Sequence, residues 1–120
     1  MRTWMLYATL CVAGAAHAAG DIDRGGDVFD TSCAECHSVK AGKNKKGPSL
    51  FAVLGRRAGT APDYYYSDAM LHSGITWTPD KLAAYVNAPW QVVPGGKMRF
   101  RGGLSPQDTA DLLAFLSSLH

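Results

Sequence analysis

The sequence predicts a small all-α domain of about four helices joined by long loops, and three observations point that way. Four segments carry helix punctuation. None shows the strict apolar and polar alternation of a half-buried strand. Between the helical segments lie 40–66 and 89–104, irregular stretches with many glycines and prolines, longer than compact domains usually leave without structure. Loops of that length normally wrap something.

The first helix is expected around Ile22 to Ser32, with Ile22, Gly26 and Phe29 on one side. Gly25 and Gly26 cost it about 1 kcal/mol each relative to alanine, which suggests that another helix crosses closely there. A second, about a turn and a half long, runs from Ser67 as N-cap to Gly74 as terminator. Thr78-Pro79-Asp80 opens the third with a cap and a proline at the first helical position; Leu82, Tyr85 and Val86 share a face, and Pro89 stops it. Ser105-Pro106-Gln107-Asp108 opens the last helix in the same way, and Leu112, Phe115, Leu116 and Leu119 recur at i, i+3, i+4 and i+7.

Residues 1–18, MRTWMLYATLCVAGAAHA, read as a secretory signal peptide cut after Ala18, with a charge at Arg2, an apolar run and the ending Ala16-His17-Ala18. Cys11 falls inside that run, behind a bulky Leu10 where lipoprotein processing takes a small residue, so it is expected to leave with the leader. The working domain is then 19–120, in a bacterial periplasm. No later stretch is long and apolar enough to insert in a bilayer. A domain of this size buries only roughly 60 to 70% of its unfolded surface, and the chain has 13 glycines and six prolines to order. A large buried prosthetic group would supplement such a core.

The net charge of +2 falls to +1 without Arg2. Asp21, Asp23, Asp27, Asp30 and Glu35 stand against Arg24 alone, whereas Lys40, Lys43, Lys45, Lys46, Arg56 and Arg57 follow with no acid among them. Lys97, Arg99 and Arg101 form a second basic group. Most of this is ordinary solvated surface, although the asymmetry is a dipole that could steer an acidic partner. Near-neutral charge and export argue against nucleic-acid binding.

Cys33-Ala34-Glu35-Cys36-His37 holds both cysteines of the working domain. Zinc would need two further ligands, and His72 and His120 show no paired spacing with His37. A redox-active dithiol usually follows a strand in a βαβ unit, and none is legible. A disulfide here would close a very small ring, stabilise little, and leave His37 unexplained. Covalent haem uses all three residues: the thiols add to the two vinyl groups of one porphyrin edge, and the adjacent imidazole reaches the iron. The iron's other face could take Met70, Met98, His72, His120 or a lysine. Met98 is favoured, because Pro94-Gly95-Gly96 before it lets a backbone loop lie close against a flat ring. Met70, on a short helix, reads better as core filler.

These residues belong to a longer ordered set. Gly20-Asp21-Ile22, Phe29, Cys33 to His37, Gly47-Pro48, Leu54-Gly55-Arg56, Ala61-Pro62, Tyr64-Tyr65-Tyr66, Gly74-Ile75-Thr76-Trp77, Tyr85 and Pro94 to Met98 succeed one another up to the closing helix. The mature chain thereby resembles a class I cytochrome c, close to mitochondrial cytochrome c and its bacterial periplasmic relatives. The resemblance implies a small cytochrome c fold, with long loops around one covalently bound haem c and its iron. It implies that the first and last helices cross, Gly25 or Gly26 and Phe29 against Leu112 and Phe115. It also implies that the Pro48 carbonyl accepts the His37 Nδ1 proton, that Tyr85 hydrogen-bonds the Met98 sulfur, and that Arg56, Tyr66 and Trp77 hold a buried haem propionate.

Departures from that family are equally informative. Ser32, Asp27, Trp90, Gln91, Ser105 and Pro106 occupy positions often lysine in the mitochondrial proteins, so the lysine ring that docks their partners is largely missing. Gly96 replaces a threonine and Met70 an asparagine, both making the pocket more apolar. The expectation is a monomeric, soluble electron carrier, not an enzyme, with His37 and Met98 as axial ligands and redox proteins docking transiently at the exposed haem edge. A neutral thioether and an apolar pocket favour ferrous iron. The alternative is a haem c protein whose sixth ligand is labile, acting as a peroxidase or a gas-ligand binder.

Overall fold

A computed structural model of the chain describes residues 20–120. The expected leader, 1–18 with Cys11, lies outside the described residues. The helices are α1 (Ile22–Ser32), α2 (Asp68–Leu71), α3 (Pro79–Asn87), α4 (Pro89–Val92) and α5 (Pro106–Ser117). Among the described residues the extended pairing is limited to one isolated bridge, between Arg57 and Thr76.

The caps expected from sequence make their bonds. Ser67 accepts the Met70 N–H at 3.1 Å, Thr78 that of Lys81 at 3.2 Å, and Ser105 that of Asp108 at 3.0 Å. Each satisfies one of the donors a helix start leaves open. Asp21 caps α1 in the same way, accepting from Arg24 N at 2.9 Å. Gly74, with φ of 67°, follows the turn after α2, a left-handed conformation that glycine adopts without a Cβ penalty.

Two elements differ from expectation. Pro89 ends α3, yet it also opens α4, a single turn without a side-chain cap. Its fixed φ disfavours continuation of α3 and is already suited to a first helical position. The second difference lies in α5, which ends at Ser117. Leu119 therefore follows the helix, and its carbonyl accepts the Ala52 N–H at 2.9 Å.

The frame is the crossing of α1 and α5. A Cβ built on Gly25 would stand 1.9 Å from the Asp111 carbonyl oxygen and 2.6 Å from Phe115 Cβ, so only glycine fits. Gly26 has ordinary room, 3.6 Å from the Phe115 ring. Phe29 meets Phe115 with ring centroids 5.8 Å apart, and Phe29, Leu112 and Leu116 are buried. Each such side chain contributes roughly 1.5 to 3 kcal/mol by leaving water. Trp77 and Tyr85, with centroids 4.9 Å apart, carry the same core toward α3.

Candidate functional site

Cys33 is the C-cap of α1, its N–H donating to the Phe29 carbonyl at 2.8 Å. The Cys36 and His37 N–H groups both return to the Cys33 carbonyl, at 3.1 and 2.9 Å. The motif is thus coiled into one tight turn behind the helix. Both thiols are free and half-buried. Burial, reinforced by neighbouring Cys36, pushes the Cys33 thiol up to about 11. That is opposite to the depressed pKa of a redox-active or metal-primed thiol. Among the described residues no three His, Cys, Asp or Glu side chains group as a metal site.

His37 Nδ1 lies 2.8 Å from the Pro48 carbonyl oxygen. A carbonyl only accepts, so Nδ1 carries the proton and Nε2 keeps its lone pair. Burial lowers the imidazole pKa, more than the Pro48 bond raises it, with the charges of Arg56 and Lys45 adding to the lowering. The ring is therefore a neutral, oriented base. Gly47 forms its bed: a Cβ there would stand 2.3 Å from the imidazole, and the Gly47 N–H bonds the Cys36 carbonyl at 2.7 Å.

Arg56 is half-buried and spends two N–H groups on the carbonyls of Ser49, at 3.0 Å, and Phe51, at 3.2 Å. Burial lowers its pKa and Tyr66 opposes this, but a guanidinium stays charged in proteins and has three further donors. Trp77 joins it through a backbone bond, Trp77 N to the Arg56 carbonyl at 2.9 Å. The Tyr66 hydroxyl accepts the Ala61 N–H at 3.0 Å. Tyr85 is buried, and desolvation first, then Tyr64, pushes its phenol up to about 12. It is a neutral hydrogen-bond donor.

Met98 is half-buried against the same core, as is Met70. Its loop turns at Gly95, φ 83°, and is strapped outward by Lys97, whose ammonium donates to the Tyr65 carbonyl at 2.5 Å and sits 5.7 Å from the Tyr64 ring centroid. Cys33, Cys36, His37 and Pro48 are thus joined directly, and Arg56, Trp77 and Tyr85 form a second connected group. Among the described residues no hydrogen bond joins the Tyr85 hydroxyl to Met98, or Arg56 to the Tyr66 or Trp77 side chains.

Two contributors carry no sequence signature. Asn44 clips two loops, donating to the Pro62 carbonyl and accepting from Ser49 N, both at 2.9 Å. Lys45 donates to the Ala34 carbonyl, between the two thiols.

The donor set fits a haem c. There are two unbridged thiols in one turn and an imidazole with a free Nε2. An apolar surround contains Trp77, Tyr85, Val53 and a thioether, and a half-buried cation is present for carboxylates.

Comparison with known proteins agrees. The sequence pattern of the cytochrome c family matches residues 22–120. Cytochrome c2 of Rhodopila globiformis is 47% identical, over 83% of this chain and 94% of that protein. Cytochrome c of Arabidopsis thaliana is 44% identical, over 81% and 88%. The solved structure of cytochrome cH from Methylobacterium extorquens aligns with a TM-score of 0.76 at 38% identity, over 82% of this chain and 99% of that one. The chain belongs to the cytochrome c family, and is an electron-transfer protein rather than an enzyme, with one covalently bound haem c.

Proposed function

We propose that this protein shuttles single electrons between redox partners in a bacterial periplasm, after removal of 1–18, with His37 and Met98 as axial ligands. The observation that carries the reading is the His37 Nδ1 bond to Pro48, since it leaves Nε2 as the lone pair for iron. Haem supplies a one-electron couple between ferric and ferrous iron. Cys33 and Cys36 would hold it covalently as thioethers. With haem bound, the neutral Tyr85 phenol would be available to donate to the Met98 sulfur, and Arg56, with Tyr66 and Trp77, would hold a propionate that is otherwise costly to desolvate. If His37 and Met98 both hold the iron, no exchangeable position would remain for a substrate. Partners dock transiently at the exposed edge, and the protein works as a monomer.

Ligation is tested on the exported protein and its Met98→Ala variant. Wild type is expected to stain for haem after denaturation, to show the weak far-red band of sulfur-ligated ferric haem, and to leave carbon monoxide unbound when reduced. Met98→Ala should keep the haem, lose the band and bind azide or cyanide faster. Rapid carbon monoxide binding by wild type would favour a labile sixth ligand and a peroxidase or gas-binding role. Loss of the band in Met70→Ala alone would move the ligand to Met70.

A further inference from the structure

Lys45 and Lys46 are neighbours at the end of the 40–47 loop, yet they are tied differently. The Lys45 ammonium donates to the Ala34 carbonyl oxygen. The Lys46 ammonium pairs with Glu35 Oε1 at 3.2 Å. Ala34 and Glu35 are the two residues between the thiols, so both lysines clasp the attachment loop. Backbone bonds from Lys45 N to the Gly47 carbonyl at 2.9 Å, and from Gly47 N to the Cys36 carbonyl at 2.7 Å, hold the clasp against the motif. Electrically the two differ. Lys46 and Glu35 form a neutral pair with little field at a distance. Lys45 leans on a carbonyl, and the only ion pair among the described residues is the one its neighbour makes.

We propose that Lys45 is a potential-setting residue: its clasp on Ala34 fixes an uncompensated positive charge beside the haem attachment, which raises the reduction potential by disfavouring ferric iron. The proposal rests on the ligation given above. Ferric haem carries one more positive charge than ferrous haem, so a nearby fixed cation opposes oxidation, and the opposition follows Coulomb's law. Lys45 is exposed, so dissolved ions screen part of the effect.

The test is the midpoint potential of wild type, Lys45→Gln, Lys45→Arg and the double variant Glu35→Gln with Lys46→Gln, over a salt series. Lys45→Gln should shift the potential downward at low ionic strength, and the shift should shrink as salt is added. Lys45→Arg keeps charge and donor and should stay near wild type. The double variant removes a neutral pair and should shift less than Lys45→Gln. No shift in Lys45→Gln, an equal shift in Lys45→Arg, or a shift indifferent to salt overturns the proposal. The far-red band, recorded on each protein, reports ligation separately. If wild type lacks it, the axial assignment fails while the comparison at Lys45 still decides this question.

Discussion

The backbone N–H of Asp21 donates to Asp111 Oδ1 at 2.8 Å, joining residues 90 positions apart. Asp111 is 2% exposed on α5 and also accepts from Gln107 Nε2 at 2.9 Å. Asp21 in turn caps α1, so one buried carboxylate fixes where the first helix begins relative to the last. This is how an acid tolerates burial: Oδ1 accepts from two donors at once.

Those donors hold the Asp111 carboxyl below its ordinary value, the Asp21 N–H first and Gln107 second. A depressed folded-state pKa stabilises the fold above the unfolded value and loses that contribution as pH falls through the folded one. Thermal unfolding from neutral pH to about pH 2 should therefore show Asp111→Asn less stable than wild type at neutrality. The two curves should converge in acid, below the ordinary value of 3.8. Parallel curves would mean that the charge of Asp111 is not what matters.

The helix crossing makes a sharper demand. Gly25→Ala drives a methyl into the Asp111 carbonyl, and backbone cannot yield as a side-chain tip does. A cost of roughly 1 to 3 kcal/mol is expected from such overpacking. Gly26→Ala meets only the Phe115 ring at ordinary distance and should gain up to about 1 kcal/mol of helix propensity. Denaturant midpoints with unchanged slopes give both values. Equal effects at the two glycines would contradict the close approach at Gly25.

Cofactor and fold should be inseparable. Half-buried Cys33 packs against the core that contains Phe29, Val53, Trp77 and Tyr85, so the porphyrin is expected to complete that core rather than decorate it. Cys33→Ala and Cys36→Ala should each lower the yield of folded protein, and the double variant most. Helical content by circular dichroism, measured on haem-free protein, checks this; native helicity without haem would refute it.

Most of the helical frame was legible because caps are local chemistry: a Ser or Thr before proline and an acid can be read without knowing the fold. α4 was not, because Pro89 signals a stop and a start equally, and the turn has no capping side chain. In the candidate site, Cys33, Cys36 and His37 could be proposed from sequence because one covalent chemistry uses all three at that spacing. Asn44 and Lys45 could not. Their partners are the backbone carbonyls of Pro62 and Ala34, and a carbonyl acceptor has no residue type to recognise. Asp111 left a faint signal, an acid beside Leu112 on an otherwise apolar stripe, but its meaning depended on a partner at the other end of the chain.

The last expectation concerns docking. Trp90, on α4 just before the Met98 loop, is 54% exposed, and Tyr65 on the neighbouring strap is 89% exposed. Lys97 does not extend freely from the same loop, since its ammonium is bonded to the Tyr65 carbonyl. With two ionised haem carboxylates the net charge of +1 for 19–120 becomes about −1, so overall attraction to an acidic partner is weak. Apolar contact then takes a larger share of a small, transient interface. Burying part of an indole is worth roughly 1 kcal/mol, about fivefold in affinity. The bimolecular electron-transfer rate with the native partner should therefore fall severalfold in Trp90→Ala. It should also depend on ionic strength less steeply than for a lysine-ringed cytochrome, because fewer charges are there to screen. A steep fall with salt together with an unchanged rate in Trp90→Ala would return docking to the basic groups at Lys43 to Lys46 and Lys97 to Arg101.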